Sequence, residues 1–98
     1  MYTIYIKLDM NRIPQDTFDT LREKHHIWYK TYFYAGKFLM IGTCPDVSGE
    51  SLIIAHGTRE ELEEAVQFDS YYADQLATYE IRKYKVDLFN EAIKNYID

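Results

Sequence analysis

Positions 2–8 alternate. Tyr2, Ile4, Ile6 and Leu8 share one side of an extended chain, and Thr3, Tyr5 and Lys7 share the other. A period of two predicts a strand with one face on a core. The polar stretch Asp9–Arg12 turns the chain, and Pro14 suits a helix start, where its missing N–H costs nothing. Asp16 and Asp19 favour the positive end of that helix. From about residue 15 to 34 the apolar period becomes three and four: Phe18, Leu21, His25, Trp28, Tyr29, Tyr32. At roughly 100° per residue these positions share about 100° of arc, the mark of an amphipathic helix. His25 lies near the centre of this stripe and His26 on its margin, while Ile27 and Tyr34 point the opposite way. Gly36 supplies the left-handed stop that ends such a helix.

Residues 37–44 and 51–56 read as two strands joined by the Pro45–Glu50 turn. Both are apolar at successive positions, Phe38 to Ile41 and Leu52 to Ala55, where a strand wet on one face would alternate. Both faces of this hairpin are therefore expected to be covered, one by helices and the other by a second copy of the chain. Thr58 and Glu61 form a capping box, opening a helix from Arg59 to about Phe68 that Asp69 and Ser70 interrupt. Residues 71–76 read as a short further turn of helix and 78–86 as a fourth strand. Asp87 is placed to cap a last amphipathic segment bearing Leu88, Phe89, Ala92, Ile93 and Tyr96.

The order β-α-β-β-α-β, with a C-terminal helix, predicts an α+β fold of the ferredoxin-like, split β-α-β kind. Residues 1–87 make the domain and 88–98 a helical extension. The apolar hairpin adds the expectation of a homodimer packed sheet to sheet, a dimeric α+β barrel.

Length and composition fit that picture. A chain of 98 residues is one small domain. Such a domain buries only about 60–65% of its unfolded surface, which favours self-association. Ten tyrosines suit pocket walls and interfaces, where an apolar ring carries a polar tip. A net charge of −5 excludes a nucleic-acid surface built on clustered Lys and Arg, and a strand would split Arg82, Lys83 and Lys85 between its faces. The single Cys44 fits a reducing compartment. No apolar run nears the roughly 20 residues of a membrane span. A cytoplasmic protein with no membrane partner is the expectation.

Chemistry centres on His25. An imidazole exchanges protons near neutral pH, and on an apolar stripe it lies against the sheet. The bland alternative is a core histidine satisfied by a neighbouring hydroxyl or carbonyl. Arg22, one turn earlier, can flank the same spot with a fork suited to carboxylate or phosphate, or can pair with Asp19 or Glu23 at the surface. Asp69 either shapes its own turn or accepts a hydrogen bond from His25, leaving the second ring nitrogen free as a base. His25, His26 and His56 lack metal-ligand spacing, so no metal and no cofactor is implied. Cys44 reads as a small apolar residue rather than a nucleophile.

With these residues placed, the chain resembles the YciI-like (YCII-related) family across residues 1–87. Four pieces carry the resemblance: Arg22-x-x-His25 ahead of Gly36, the strand Gly36–Gly42, the helix start Thr58–Leu62, and Asp69-Ser70-Tyr71 followed by Leu76–Ile81. The resemblance implies a ferredoxin-like dimeric barrel with a His–Asp pair, here His25 and Asp69, in a small pocket. It implies Arg22 at the rim and proton transfer or elimination on small ring compounds. The resulting expectation is an enzyme whose His25, oriented by Asp69, moves a proton on a small, anionic or ring-containing substrate bound by Arg22, Tyr71, Gly42 and Thr43. A non-catalytic ligand-binding or oligomerisation domain is the alternative. Three positions depart from the family pattern. Thr43 and Ser70 replace prolines, and Gln75 replaces a glycine before the fourth strand. A looser Asp69 loop and an extra side chain near the pocket are expected.

Overall fold

The computed structural model describes residues 1–97. Four strands form one antiparallel sheet: β1 (Tyr2–Leu8), β2 (Phe38–Thr43), β3 (Glu50–Ala55) and β4 (Ala77–Lys83), in the order β2-β3-β1-β4. Helix α1 (Phe18–Tyr34) links β1 to β2, and α2 (Arg59–Val66) links β3 to β4. Strand β3 lies between β1 and β2, so the α1 connection spans a split pair.

Strand register explains the core. Tyr2, Ile4 and Ile6 stand opposite Ala55, Ile53 and Ser51 of β3 and opposite Lys83, Ile81 and Tyr79 of β4. Alternation therefore sends one row of side chains toward the helices. Trp28 of α1 and Leu62, Ala65 and Val66 of α2 pack on that row. Ile4, Ile6 and Ile53 are all but fully buried, each stabilising the fold by roughly 1.5–3 kcal/mol. The indole N–H of Trp28 donates to Ala65 O at 2.9 Å and ties the two helices together. A smaller cluster of Ile13, Tyr71 and Leu76 fills the space where the pre-helix loop meets the start of β4.

The helix ends follow local chemistry. A 3₁₀ turn, Gln15–Thr17, precedes α1 after Pro14. Gly36, at φ +80°, closes it, with Gly36 N–H donating to Phe33 O and Lys37 N–H to Tyr32 O. This bond pair satisfies two carbonyls that the helix leaves without partners. Thr58 caps α2 by accepting from Glu61 N–H at 3.1 Å. Beyond Val66 the chain tightens into successive turns, with Phe68 N–H donating to Ala65 O and Asp69 N–H to Val66 O. The stretch expected as a further helical turn, 71–76, is a series of such turns rather than a helix.

Gln75 in that stretch adopts φ +54°, the left-handed region, at a position where the pattern of the family it resembles has glycine. A side chain there costs about 1–2 kcal/mol, and glycine's extra chain entropy returns some of that. Gln75→Gly is expected to stabilise the fold by about 0.5–1 kcal/mol, raising the melting temperature by roughly 4 °C. A lowered melting temperature would contradict the assignment of strain.

The C-terminal segment departs from expectation. Beyond Tyr84, whose N–H donates to Met1 O, the backbone has no regular structure until a 3₁₀ helix at Glu91–Tyr96. Asn90, not Asp87, caps that helix, its side chain accepting from Ala92 N–H. Leu88 is 94% exposed, and Phe89 and Tyr96 are also mostly in solvent. A short amphipathic helix needs a surface to pack on, and the domain supplies none here. Asp98, the end of the expected 88–98 extension, lies outside the described residues.

Among the described residues, the second face of the sheet carries no helix. Tyr5, Met40, Leu52 and Ile54 lie there, only partly buried. Among the described residues, no helix is long and apolar enough to cross a membrane.

Candidate functional site

Helix α1 crosses the sheet so that His25, Arg22 and His26 overhang the ends of β2 and β3. Below them is a cavity of about 160 Å³. Its walls are largely apolar, with Phe18 and Tyr29 from α1, Ile41 and Ile53 from the sheet, and Tyr71 from the turn region. The β2–β3 turn closes one side with Ser48 and Gly49. Gly49, at φ +85°, has to be small, because a Cβ would sit 3.0 Å from Met10 Sδ and 3.2 Å from Leu8 Cβ.

His25 and Asp69 meet. His25 Nδ1 lies 2.6 Å from Asp69 Oδ1, and the Asp69 side chain is fully buried while that of His25 is 12% exposed. The second carboxylate oxygen accepts from the Tyr79 hydroxyl, also at 2.6 Å. An ionised carboxylate only accepts, so Nδ1 carries a proton, and in the neutral ring Nε2 then keeps its lone pair. Among the described residues Nε2 has no hydrogen-bond partner, and it is not sealed in the interior. The same holds for the Tyr71 hydroxyl. The cavity lining thus includes the imidazoles of His25 and His26 and the phenols of Tyr29 and Tyr71.

Aromatic rings fix the imidazole. Trp28, Tyr29 and Tyr71 lie 5.3–5.5 Å from it, centroid to centroid, with Tyr29 edge-on. Burial pushes the Tyr71 phenol above its ordinary range; the Asp69 charge adds to this and Arg22 opposes it. Tyr79 is pushed up strongly by burial and then by Asp69, so it remains a donor. His26 is held below its ordinary 6.5 by partial burial, then by its neighbours His25, Arg22 and Lys30.

The residues expected from sequence sort clearly. His25, Arg22, Tyr71 and Thr43 line the cavity. Arg22 is over half exposed; it contacts Asp19 at 3.7 Å and overlies the Phe18 ring, so the surface pair and the rim position coexist. Gly42 is not at the cavity. It stands opposite Leu52 on the other face of the sheet, because alternation separates it from Thr43. Gln75 does not line the cavity either. The Asp69 loop is not loose. The Ser70 hydroxyl donates to Leu21 O at 2.7 Å and pins the loop to α1 in place of the expected proline. The alternative, an Asp69 side chain bonding its own backbone in the turn, is not what the structure has: both carboxylate oxygens are taken by His25 and Tyr79, and only the Asp69 backbone carbonyl joins the turn, accepting from Tyr72 N–H.

No family model matches the chain, and no curated protein matches it. The functional reading therefore rests on the residues themselves.

Sequence reasoning missed Tyr79, Ser70 as a clamp, and His26 as a cavity residue. Tyr79 had a signal: it lies two residues before Ile81, on the inward side of β4. Among the described residues no three His, Cys, Asp or Glu side chains converge as a metal set would.

Proposed function

We propose that this chain is a small homodimeric enzyme of YciI-like type, with a ferredoxin-like fold, that moves a proton on a small anionic ring compound. The observation that carries this is the buried carboxylate on His25 Nδ1, on a ring that lines a cavity and whose Nε2 has no hydrogen-bond partner among the described residues. His25 Nε2 takes a proton from an acidic C–H or O–H of the substrate, leaving the electron pair there. The imidazolium so formed keeps its Nδ1–H on Asp69, whose charge stabilises it. Returning the proton to a different atom, or expelling a leaving group, completes an isomerisation or an elimination.

Size and charge favour a one-ring acid. A cavity near 150 Å³ holds a benzene ring, and this one measures about 160 Å³. Arg22 among the lining residues suits a carboxylate, and the Tyr71 hydroxyl can donate to a ring oxygen. The lone Cys44 supports a cytoplasmic setting.

The homodimer belongs to the same reading. Tyr5, Met40, Leu52 and Ile54 form an apolar area on the helix-free face. The one buried side-chain polar atom without a partner among the described residues, Thr3 Oγ1, stands in that same row. Buried polar atoms are normally paired, and a facing sheet would bring a partner. Light scattering should give a mass of two chains, and Ile54→Lys should give one. A single-chain mass for the native protein overturns the dimer.

The test of the activity is exchange. The protein is incubated in D₂O with a panel of small aromatic and cyclic carboxylates, and loss of carbon-bound protons is followed by NMR. Binding with no exchange in any member of the panel would favour the ligand-binding alternative.

A further inference from the structure

Tyr79 has no part in the reading above, yet it holds half of the carboxylate on which that reading rests. Its backbone stands opposite Ile6 on β4, so its position comes from the sheet and not from the turn that carries Asp69. Its ring packs in the main core, 5.7 Å from Tyr72. From there the hydroxyl reaches Asp69 Oδ2 at 2.6 Å. Asp69 thus has one oxygen on helix α1 and the other on strand β4, and no freedom to rotate its carboxylate between them.

We propose that Tyr79 is a positioning residue, one that fixes the Asp69 carboxylate so that Oδ1 alone faces His25 Nδ1 and the imidazole is locked with its proton on Nδ1. The proposal rests on the proton-transfer reading, but it concerns the tautomer, which is observable without any substrate. A carboxylate held by a single hydrogen bond can swing about its Cβ–Cγ bond. The imidazole then samples the form protonated on Nε2, which offers no lone pair to the cavity. A second donor, anchored on a different element, removes that freedom and also draws charge away from Oδ1. Other charged or titratable groups face His25 as well: Arg22, His26 and Tyr29 from α1, Tyr71 from the turn, and Glu50 across the cavity from β3. None of these bonds Nδ1, whose partner is Asp69. The tautomer is therefore decided at Asp69, and Asp69 is decided by Tyr79.

The experiment is a ¹⁵N–¹H spectrum of histidine-labelled protein, taken at a pH where the imidazoles are neutral. In the native protein His25 should show a protonated Nδ1 and a lone-pair Nε2. In Tyr79→Phe the ratio of the Nδ1–H to the Nε2–H form should fall at least several-fold, moving both nitrogen resonances toward averaged positions. A His25 spectrum in Tyr79→Phe that superposes on the native one overturns the proposal. Should Tyr79→Phe fail to fold, fluorotyrosine at position 79 keeps the contact and strengthens the donor. The Nδ1–H resonance should then move upfield, and no movement overturns the proposal. Asp69→Ala, which leaves no acceptor at that position, separates the role of Tyr79 from that of the pair. If the native protein lacks the Nδ1–H signature, or Asp69→Ala retains it unchanged, the His–Asp reading falls. If both behave as expected and only Tyr79→Phe is silent, the role of Tyr79 alone falls.

Discussion

Asp69→Ala is expected to lower stability by about 3 kcal/mol, because it strips two buried donors of their shared acceptor. The Asp69 side chain is wholly out of solvent and accepts from His25 and Tyr79, both at 2.6 Å. Removing it leaves the Tyr79 hydroxyl buried without a partner and opens a small void beside α1. For a domain of this size the melting temperature should drop by roughly 15 °C. Asp69→Asn keeps the shape and one acceptor oxygen, and its amide can donate to the Tyr79 hydroxyl, so its cost should be nearer 1 kcal/mol. The difference between the two isolates the unsatisfied donors from the loss of volume. Chemical denaturation of the three proteins measures it. An Asp69→Ala variant within about 0.5 kcal/mol of native would mean that the buried network is not formed in solution.

His25→Ala should have the larger effect on chemistry and the smaller one on the fold. A positioned general base contributes about 10²–10⁴ in rate. A thousandfold fall in proton exchange is the expected result, equivalent to roughly 4 kcal/mol of barrier. Ligand affinity should change by less than about tenfold, since the proposed function gives substrate binding to Arg22 and the Tyr71 hydroxyl, which line the cavity, and not to the proton-transferring ring. The two quantities are read separately, exchange by NMR in D₂O and affinity by calorimetry. Exchange that persists in His25→Ala would assign the base elsewhere, with the Tyr71 phenol and His26 the nearest groups able to serve. Affinity lost together with exchange would make His25 a binding group instead.

Much of the site was legible before any coordinates. The three- and four-residue period of α1 placed Arg22 and His25 on adjoining arcs, and both line the cavity. Period two in β1 divided Ile4 and Ile6 from Thr3 and Tyr5, and the sheet has that division. The Thr58 cap and the Gly36 stop follow from side-chain reach and from the backbone freedom of glycine, which act within a few residues. Errors arose where a local pattern was asked a non-local question. Gly42 was paired with Thr43 as a binding residue, yet neighbours in a strand face opposite ways and only Thr43 reaches the cavity. The apolar spacing of Leu88 to Tyr96 reads as an amphipathic helix, but Leu88, Phe89, Ile93 and Tyr96 are exposed and only a 3₁₀ helix forms, at Glu91–Tyr96.

What the sequence determined alone was the element order, the inward row of each strand and the histidine at the middle of an apolar stripe. Each of these depends on backbone period and on side chains a few positions apart. Only the tertiary structure decided that Asp69 reaches His25, that Tyr79 takes the second oxygen, and that Ser70 ties the turn to Leu21. These bonds join groups from a helix, a turn and a strand. Their geometry is set by where α1 crosses the sheet and by the register of β1 with β4, neither of which is carried by the spacing of residues along one segment.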